Sequence, residues 1–293
     1  MAEQTSAANG IVPTILDPAT CAKKGLCTVA QGRAVETHQL YFELHGALDG
    51  AQKLLFVMVK HFSRKPDHSV LVFDNRGVGN SDAGPLGIYK TSEMAKDTVD
   101  LMEYLGWTAD RSVHLFGVSM GGMISQELCL LVPKRFKSVS FISTKAGNKF
   151  DLPPLSGLYK LTRLLSRTVT EEQSIEMLMT MLFPAEFLAQ PTEGGGTKRE
   201  EIYESLLQRI RRTRKQPAAG VAGQLSAALS HSCPAASLDQ LIEPARSIEL
   251  HKDLPGSEYL LIPGAGHAIC SQLPEQSNAI LERVIDEGNR AFS

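Results

Sequence analysis

Ser119 stands in the run Gly117-Val118-Ser119-Met120-Gly121, with Gly122 next. A serine hydroxyl is a weak nucleophile until a base takes its proton and the backbone lifts it clear of neighbouring side chains. The run lies between an apolar strand-like stretch, Val113 to Phe116, and a helix expected from Gly121 to Leu131, which Pro133 ends. That context is the one a strained strand-to-helix turn needs, with small neighbours so that the chain can make the bend. The helix N-terminus favours negative charge developing at the turn, and the backbone N–H of Met120 is placed to donate to an oxyanion. His267 is the second residue with chemistry in reach. It follows the apolar stretch Tyr259 to Ile262 in the loop Pro263-Gly264-Ala265-Gly266-His267. A histidine at a neighbouring strand end is a suitable base for the serine. The pair is a candidate nucleophile and base, and no cofactor or metal motif accompanies it. His114, inside the elbow strand, reads as structural. His231 reads as a packed or pocket-lining residue, with packing favoured.

A third cluster, Phe73-Asp74-Asn75-Arg76-Gly77-Val78-Gly79-Asn80-Ser81-Asp82, follows a buried strand. Its density of Asp, Asn and Gly predicts a tight turn with special backbone angles. The spacing is not that of a phosphate-binding loop. Asp74 and Arg76 are expected to brace the turn.

These residues need a scaffold. Leu26 to Ala30 and Gln39 to Glu43 read as short strands joined through Gln31-Gly32-Arg33. Leu54 to Val59 and Val70 to Phe73 are continuous apolar runs, as in central strands buried on both faces. Ser92 to Leu105 reads as a helix stopped by Gly106, and Val139 to Ile142 as a further strand. From about Gly147 to His231 no strand-like run occurs. Helical patterns such as Glu171 to Leu182 and Glu200 to Arg212 occur instead, broken by Pro184, Gly194-Gly195-Gly196 and Pro217. This part reads as a helical lid, in which Met177, Leu178, Met179, Met181, Leu182, Phe183 and Phe187 line a pocket or form the lid's own core. A last strand, Tyr259 to Ile262, and a final helix, Pro274 to Glu287, close the pattern. Strand alternating with helix predicts an α/β fold, a mostly parallel sheet with helices on both faces. The expected divisions are 1–146 and 236–293 as the two parts of one core, and 147–235 as the lid.

Composition bounds the function. The chain has 293 residues, 43% of them hydrophobic, and a net charge of -2. That length suits one large domain with an insertion. The charge balance gives no footprint for nucleic acid; the densest basic stretch, Arg209 to Lys215, reads as a solvated helix end. No apolar run has the length of a membrane span, and the first residues show no basic leader followed by an apolar stretch. Five scattered cysteines, Cys21, Cys27, Cys129, Cys233 and Cys270, fit free thiols in a reducing compartment, which predicts a cytoplasmic protein. The Cys21–Cys27 spacing lacks the close pair of a zinc site. The expected partner is a small-molecule substrate. Oligomeric state is not legible.

In FDNRGVGNSD, GVSMGG and GAGHAI, with paired early strands and a helical insertion between them, the chain resembles the α/β-hydrolase family over most of its length. The resemblance implies Ser119 as nucleophile, His267 as base and an acyl-enzyme intermediate. The presence of serine at 119 disfavours the aspartate-nucleophile dehalogenases and epoxide hydrolases of the family; haloperoxidase, lyase or transferase chemistry has no feature that selects it. The chain departs from the family pattern twice. After Leu54 to Val59, Lys60 to Ser69 leads straight into Val70, too short for the usual oxyanion loop and helix. His61 or a nearby N–H is the substitute on offer. Between the helical part and Tyr259 no strand ends in an aspartate. Asp239 and Asp253 are the nearest candidates for the triad acid, with Glu243 and Asp151 behind them. The chain thus reads as a family member shortened at the oxyanion loop and at the acid-bearing strand. Losing the acid would cost about 10⁴ in turnover, and losing one oxyanion donor roughly 10²–10³. The leading expectation is an esterase-like serine hydrolase for a small or medium, partly apolar ester. The alternative is a catalytically impaired hydrolase-like binding module.

Overall fold

A computed structural model describes residues 11–56, 58–83, 88–144, 169–232 and 257–293. Six strands form one sheet: β1 (Cys21–Val29), β2 (His38–Gly46), β3 (Gln52–Leu55), β4 (His68–Phe73), β5 (Val113–Val118) and β6 (Phe136–Ile142), in the spatial order β1-β2-β4-β3-β5-β6. The pairs β1–β2 and β2–β4 are antiparallel; β4–β3, β3–β5 and β5–β6 are parallel.

The apolar runs are continuous because the sheet is covered on both sides. Leu55, Leu71, Val113 and Leu115 enter one core with Met94, Leu101, Ile124 and Leu128 of helices α2 (Thr91–Tyr104) and α3 (Met120–Leu131). Their chain neighbours Leu54, Val70 and Phe116 enter the opposite core, with Val59 and Phe62 of α1 (Val59–Phe62) and, from a long C-terminal helix, Leu281 and Ile285. A period of two along each strand feeds two apolar layers, so no polar face remains. β1, at the sheet edge, alternates instead: Cys27 and Val29 are buried, and Leu26 and Thr28 are exposed.

The remaining helices are α4 (Glu171–Leu182), α5 (Ala185–Leu188), α6 (Lys198–Arg212), α7 (Ala218–Ser230), α8 (Ile269–Gln272) and α9 (Pro274–Ala291). Thr170 and Thr197 begin α4 and α6 with reciprocal capping boxes, to Gln173 and Glu200. Ile175, Met179, Phe183 and Leu188 are buried against Leu182, Phe187, Leu206 and Ile210. Of the expected pocket residues, Met179, Leu182, Phe183 and Phe187 pack in the core of the helical part, while Met181 is exposed.

Two expectations are corrected. The run Leu54 to Val59 is not one strand: β3 ends at Leu55, Phe56 has φ 68°, and Val59 already begins α1. Met58 and Val59 are apolar because they face α9, not because the strand continues. Tyr259 to Ile262 is also not a strand among the described residues, and Leu260 and Leu261 are exposed. The described sheet ends at β6. β1 and β2 run longer than expected, because Cys21, Lys23, Lys24 and Gly25, and His38, Leu44 and His45, also pair between them, and Gly46 pairs with Ser69 of β4. No helix among the described residues is long and apolar enough to cross a membrane.

Candidate active site

Ser119 occupies the junction of β5 and α3 with φ 54° and ψ -123°. A non-glycine residue there is strained, and the neighbours over-determine it. Its N–H donates to the Ile142 carbonyl at 2.9 Å, its own carbonyl accepts from Gly122 N–H at 2.9 Å, and Thr144 Oγ1 donates to the same carbonyl at 2.6 Å. The glycines around it differ in need. A Cβ at Gly117 would meet Ser125 Oγ and would lie 2.6 Å from Gly122 Cα, and one at Gly122 would lie 2.5 Å from Thr144 Cβ. A Cβ at Gly121 would meet nothing within 4 Å. The steric demand therefore falls on Gly117 and Gly122, not on the second glycine of G-x-S-x-G.

His267 reaches the serine. Its Nε2 lies 3.0 Å from Ser119 Oγ. The loop that carries it is held by a residue that sequence reasoning missed. Gln272 is buried; its Oε1 accepts from Gly266 N–H at 2.7 Å, and its Nε2 donates to the Gly264 carbonyl at 2.9 Å. A lone Gln five residues after a histidine carries no signal in a single sequence. The other face of the loop presses on α4: Ala268 N–H donates to the Leu182 carbonyl at 3.0 Å, and a Cβ on Gly266 would lie 2.6 Å from that oxygen. Burial alone holds the His267 pKa below its usual 6.5, so the ring is neutral near pH 7. Cys270, two residues before Gln272, is buried, and burial raises its thiol pKa, which leaves it unreactive.

Met120 is the first residue of α3, so its N–H is among the donors that the helix leaves without an internal acceptor. The N–H of Phe56, after β3, is engaged by the Leu71 carbonyl at 3.2 Å. His61 is not at the serine: its Nε2 lies 2.6 Å from Glu282 Oε1 on α9, beside an ion pair of Lys65 with the same carboxylate. Asp239, Asp253, Glu243 and Asp151 lie outside the described residues, and among the described residues no carboxylate touches His267.

The other singled-out residues are structural. Asp74 Oδ2 accepts from Asn80 N–H at 2.8 Å inside the turn. Arg76 grips buried Asp97 of α2 through Nε (2.8 Å) and Nη2 (2.5 Å), with Arg33 and His38 on the same carboxylate. His114 is buried between Ser138 and Gln52, with its pKa pushed down to about 4, chiefly by burial. His231 is buried between Thr91 Oγ1 (2.8 Å) and Gln126 Oε1 (2.9 Å).

Comparison with known proteins agrees with this architecture. RutD of Pseudomonas savastanoi, provisionally named a carbamate hydrolase, is 25% identical over 72% of this chain and 81% of its own. A thermophilic esterase from Thermogutta terrifontis superposes with a TM-score of 0.66 at 19% identity, over 91% of this chain and 99% of that one. The enol-lactonase of Burkholderia xenovorans superposes with a TM-score of 0.63 at 20% identity, over 85% and 96%. A family model described as the alpha/beta hydrolase fold matches residues 44–272, and with it the chain belongs to the α/β-hydrolase fold family of hydrolases.

Proposed function

We propose that this chain is a serine hydrolase that cleaves a small or medium, partly apolar ester through an acyl-enzyme on Ser119. The observation that carries the reading is the 3.0 Å approach of His267 Nε2 to Ser119 Oγ at a strained elbow. Neutral His267 takes the hydroxyl proton as Ser119 Oγ attacks the carbonyl carbon. The N–H of Met120 and the N-terminus of α3 stabilise the oxyanion. His267 then gives the proton to the leaving alcohol and activates the water that frees the acid. No cofactor enters. The helical part, residues 169–232 with Phe183 and Leu182 against the His267 loop, serves as a lid over an apolar acyl site. The names of a relative, for carbamates, and of solved neighbours, for esters and lactones, support acyl transfer as the reaction. A cytoplasmic location fits the free thiols Cys21, Cys27, Cys129 and Cys270.

A second reading, an impaired hydrolase that binds without turnover, is favoured by one observation: among the described residues, no carboxylate touches His267. A fluorophosphonate probe separates the two. Wild type should label and Ser119→Ala should not, with circular dichroism showing both folded. A folded wild type that does not label would transfer the lead to the second reading.

A further inference from the structure

We propose that Cys21, Glu43 and His45 form a zinc site on the outer face of the β1–β2 ribbon. Their ligand atoms, one sulfur, one carboxylate oxygen and one imidazole nitrogen, lie within 4.8 Å of one another. Glu43 and His45 are two apart on β2 and so share a sheet face, and both are buried. Cys21 joins them through a β-bulge. The register of Lys24 with Glu43 and Lys23 with Leu44 would, if continued, set Ala22 opposite His45 and turn Cys21 to the other face. The irregularity between Cys21 and Lys23 instead sets Cys21 opposite His45. Bulges re-aim side chains in this way.

The donor set is that of zinc: soft thiolate, imidazole and one carboxylate, with a fourth position for water. Cys21 and Thr20 line an open cleft with Ser63, Arg64 and Lys65, so an ion would enter from the side of the sulfur. His45 Nε2 lies 2.9 Å from Glu43 Oε2. With Zn–S of about 2.3 Å and Zn–N or Zn–O of about 2.0–2.2 Å, tetrahedral ligand atoms stand roughly 3.4–3.6 Å apart, so shifts of about 1 Å or less admit the ion. The surroundings already orient the ligands. Thr20 Oγ1 lies 2.9 Å from His45 Nδ1 and 3.0 Å from the Asp17 carbonyl, so it can accept from Nδ1–H while donating onward, which leaves Nε2 free to bind the metal. Thr14 Oγ1 and Tyr41 Oη each donate to Glu43 at 2.7 Å and hold the carboxylate in place. Binding releases one proton, from the Cys21 thiol. Thiolate and carboxylate then balance the two charges of the ion. Exposed Lys24 opposite Glu43 is the one opposing charge in register. The ion would clamp the Thr14–Cys21 segment to β2. In the sheet, β4 and β3 separate β2 from the strand that carries Ser119, so the site is distinct from the candidate active site.

Metal-stripped full-length protein titrated with cobalt(II) tests this. One equivalent should give the visible bands of tetrahedral cobalt and a near-ultraviolet thiolate charge-transfer band, and folded Cys21→Ser should lack the latter. Thr20→Val should weaken zinc binding by about 10- to 100-fold. On the wild type, one equivalent of zinc should suppress iodoacetamide labelling of Cys21 and leave Cys129 unaffected. A charge-transfer band that persists without Cys21, its absence from wild type, or Cys21 alkylation indifferent to zinc would each overturn the site. The alkylation measurement decides even if the serine variant does not fold.

Discussion

The hydroxyl of Ser119 lies 3.0 Å from the ring of a residue 148 positions away, and burial lowers the pKa of that ring. Because desolvation lowers the His267 pKa, the base stays neutral as pH falls through 6.5. The acidic limb of kcat/KM should therefore be centred below 6.5. A limb centred above that value would place a carboxylate beside the ring, since a nearby negative charge raises it. The glycines make a second prediction. Gly122→Ala drives a methyl group into Thr144 and should destabilise the fold by about 1–3 kcal/mol, as overpacking does. Gly121→Ala meets open space within α3 and should be neutral or stabilising by roughly 0.5–1 kcal/mol. Urea denaturation of the two variants checks the contrast.

The His267 loop lies between residues 257–262, which form no helix or strand, and the single-turn helix α8. Gln272 and the C-terminus of α4 supply what regular structure does not. Gln272→Leu keeps the volume and removes both side-chain hydrogen bonds to the loop. A displacement of the base by about 1 Å can cost on the order of 10²-fold in rate. The expected result is a fall in kcat with KM and the pH limb little changed, because Gln272 acts through position and not charge. A fall in stability with unchanged kcat would assign it to packing alone. α1 shows the opposite economy. Its single turn places Val59 and Phe62 in the core against α9, and Glu282 ties Lys65 and His61 to the same helix.

Over the whole molecule, the lowered pKa values of His114 and Asp97 act with one sign, against Asp74 and Glu127, which burial raises. His114 stays neutral down to about pH 4 in the folded chain, while an unfolded histidine protonates near 6.5. The unfolded state thus binds more protons in that window, and stability is lost as pH falls through it. Asp97, held below its usual 3.8 chiefly by His38 and Arg76 against the cost of burial, adds stability that is present above that value and lost below it. The urea midpoint should fall in two stages, a shallow loss between about pH 6.5 and 4 and a steeper one below. Asp97→Ala would leave Arg76 buried and unpaired, and should cost about 3–5 kcal/mol at pH 7.

The elbow, the order of serine before histidine, the covered sheet and the helical patterns at Glu171 to Leu182 and Glu200 to Arg212 were legible in the chain alone. Each rests on local steric or periodic constraints: small residues at a strained turn, continuous apolar runs in covered strands, and apolar spacing along a helix. Other features required the tertiary structure. An apolar run such as Leu54 to Val59 has the same composition whether it stays in the sheet or turns into α1, and only α9 packing on Met58 and Val59 distinguishes the two. Leu260 and Leu261 look like strand residues, yet a strand exists only where a neighbour pairs with it. Gln272 acts through backbone groups six and eight positions away, and Cys21 meets His45 only because a bulge shifts the register by one. Periodicity records which face a residue needs to bury; which partner waits there is decided by how distant segments pack.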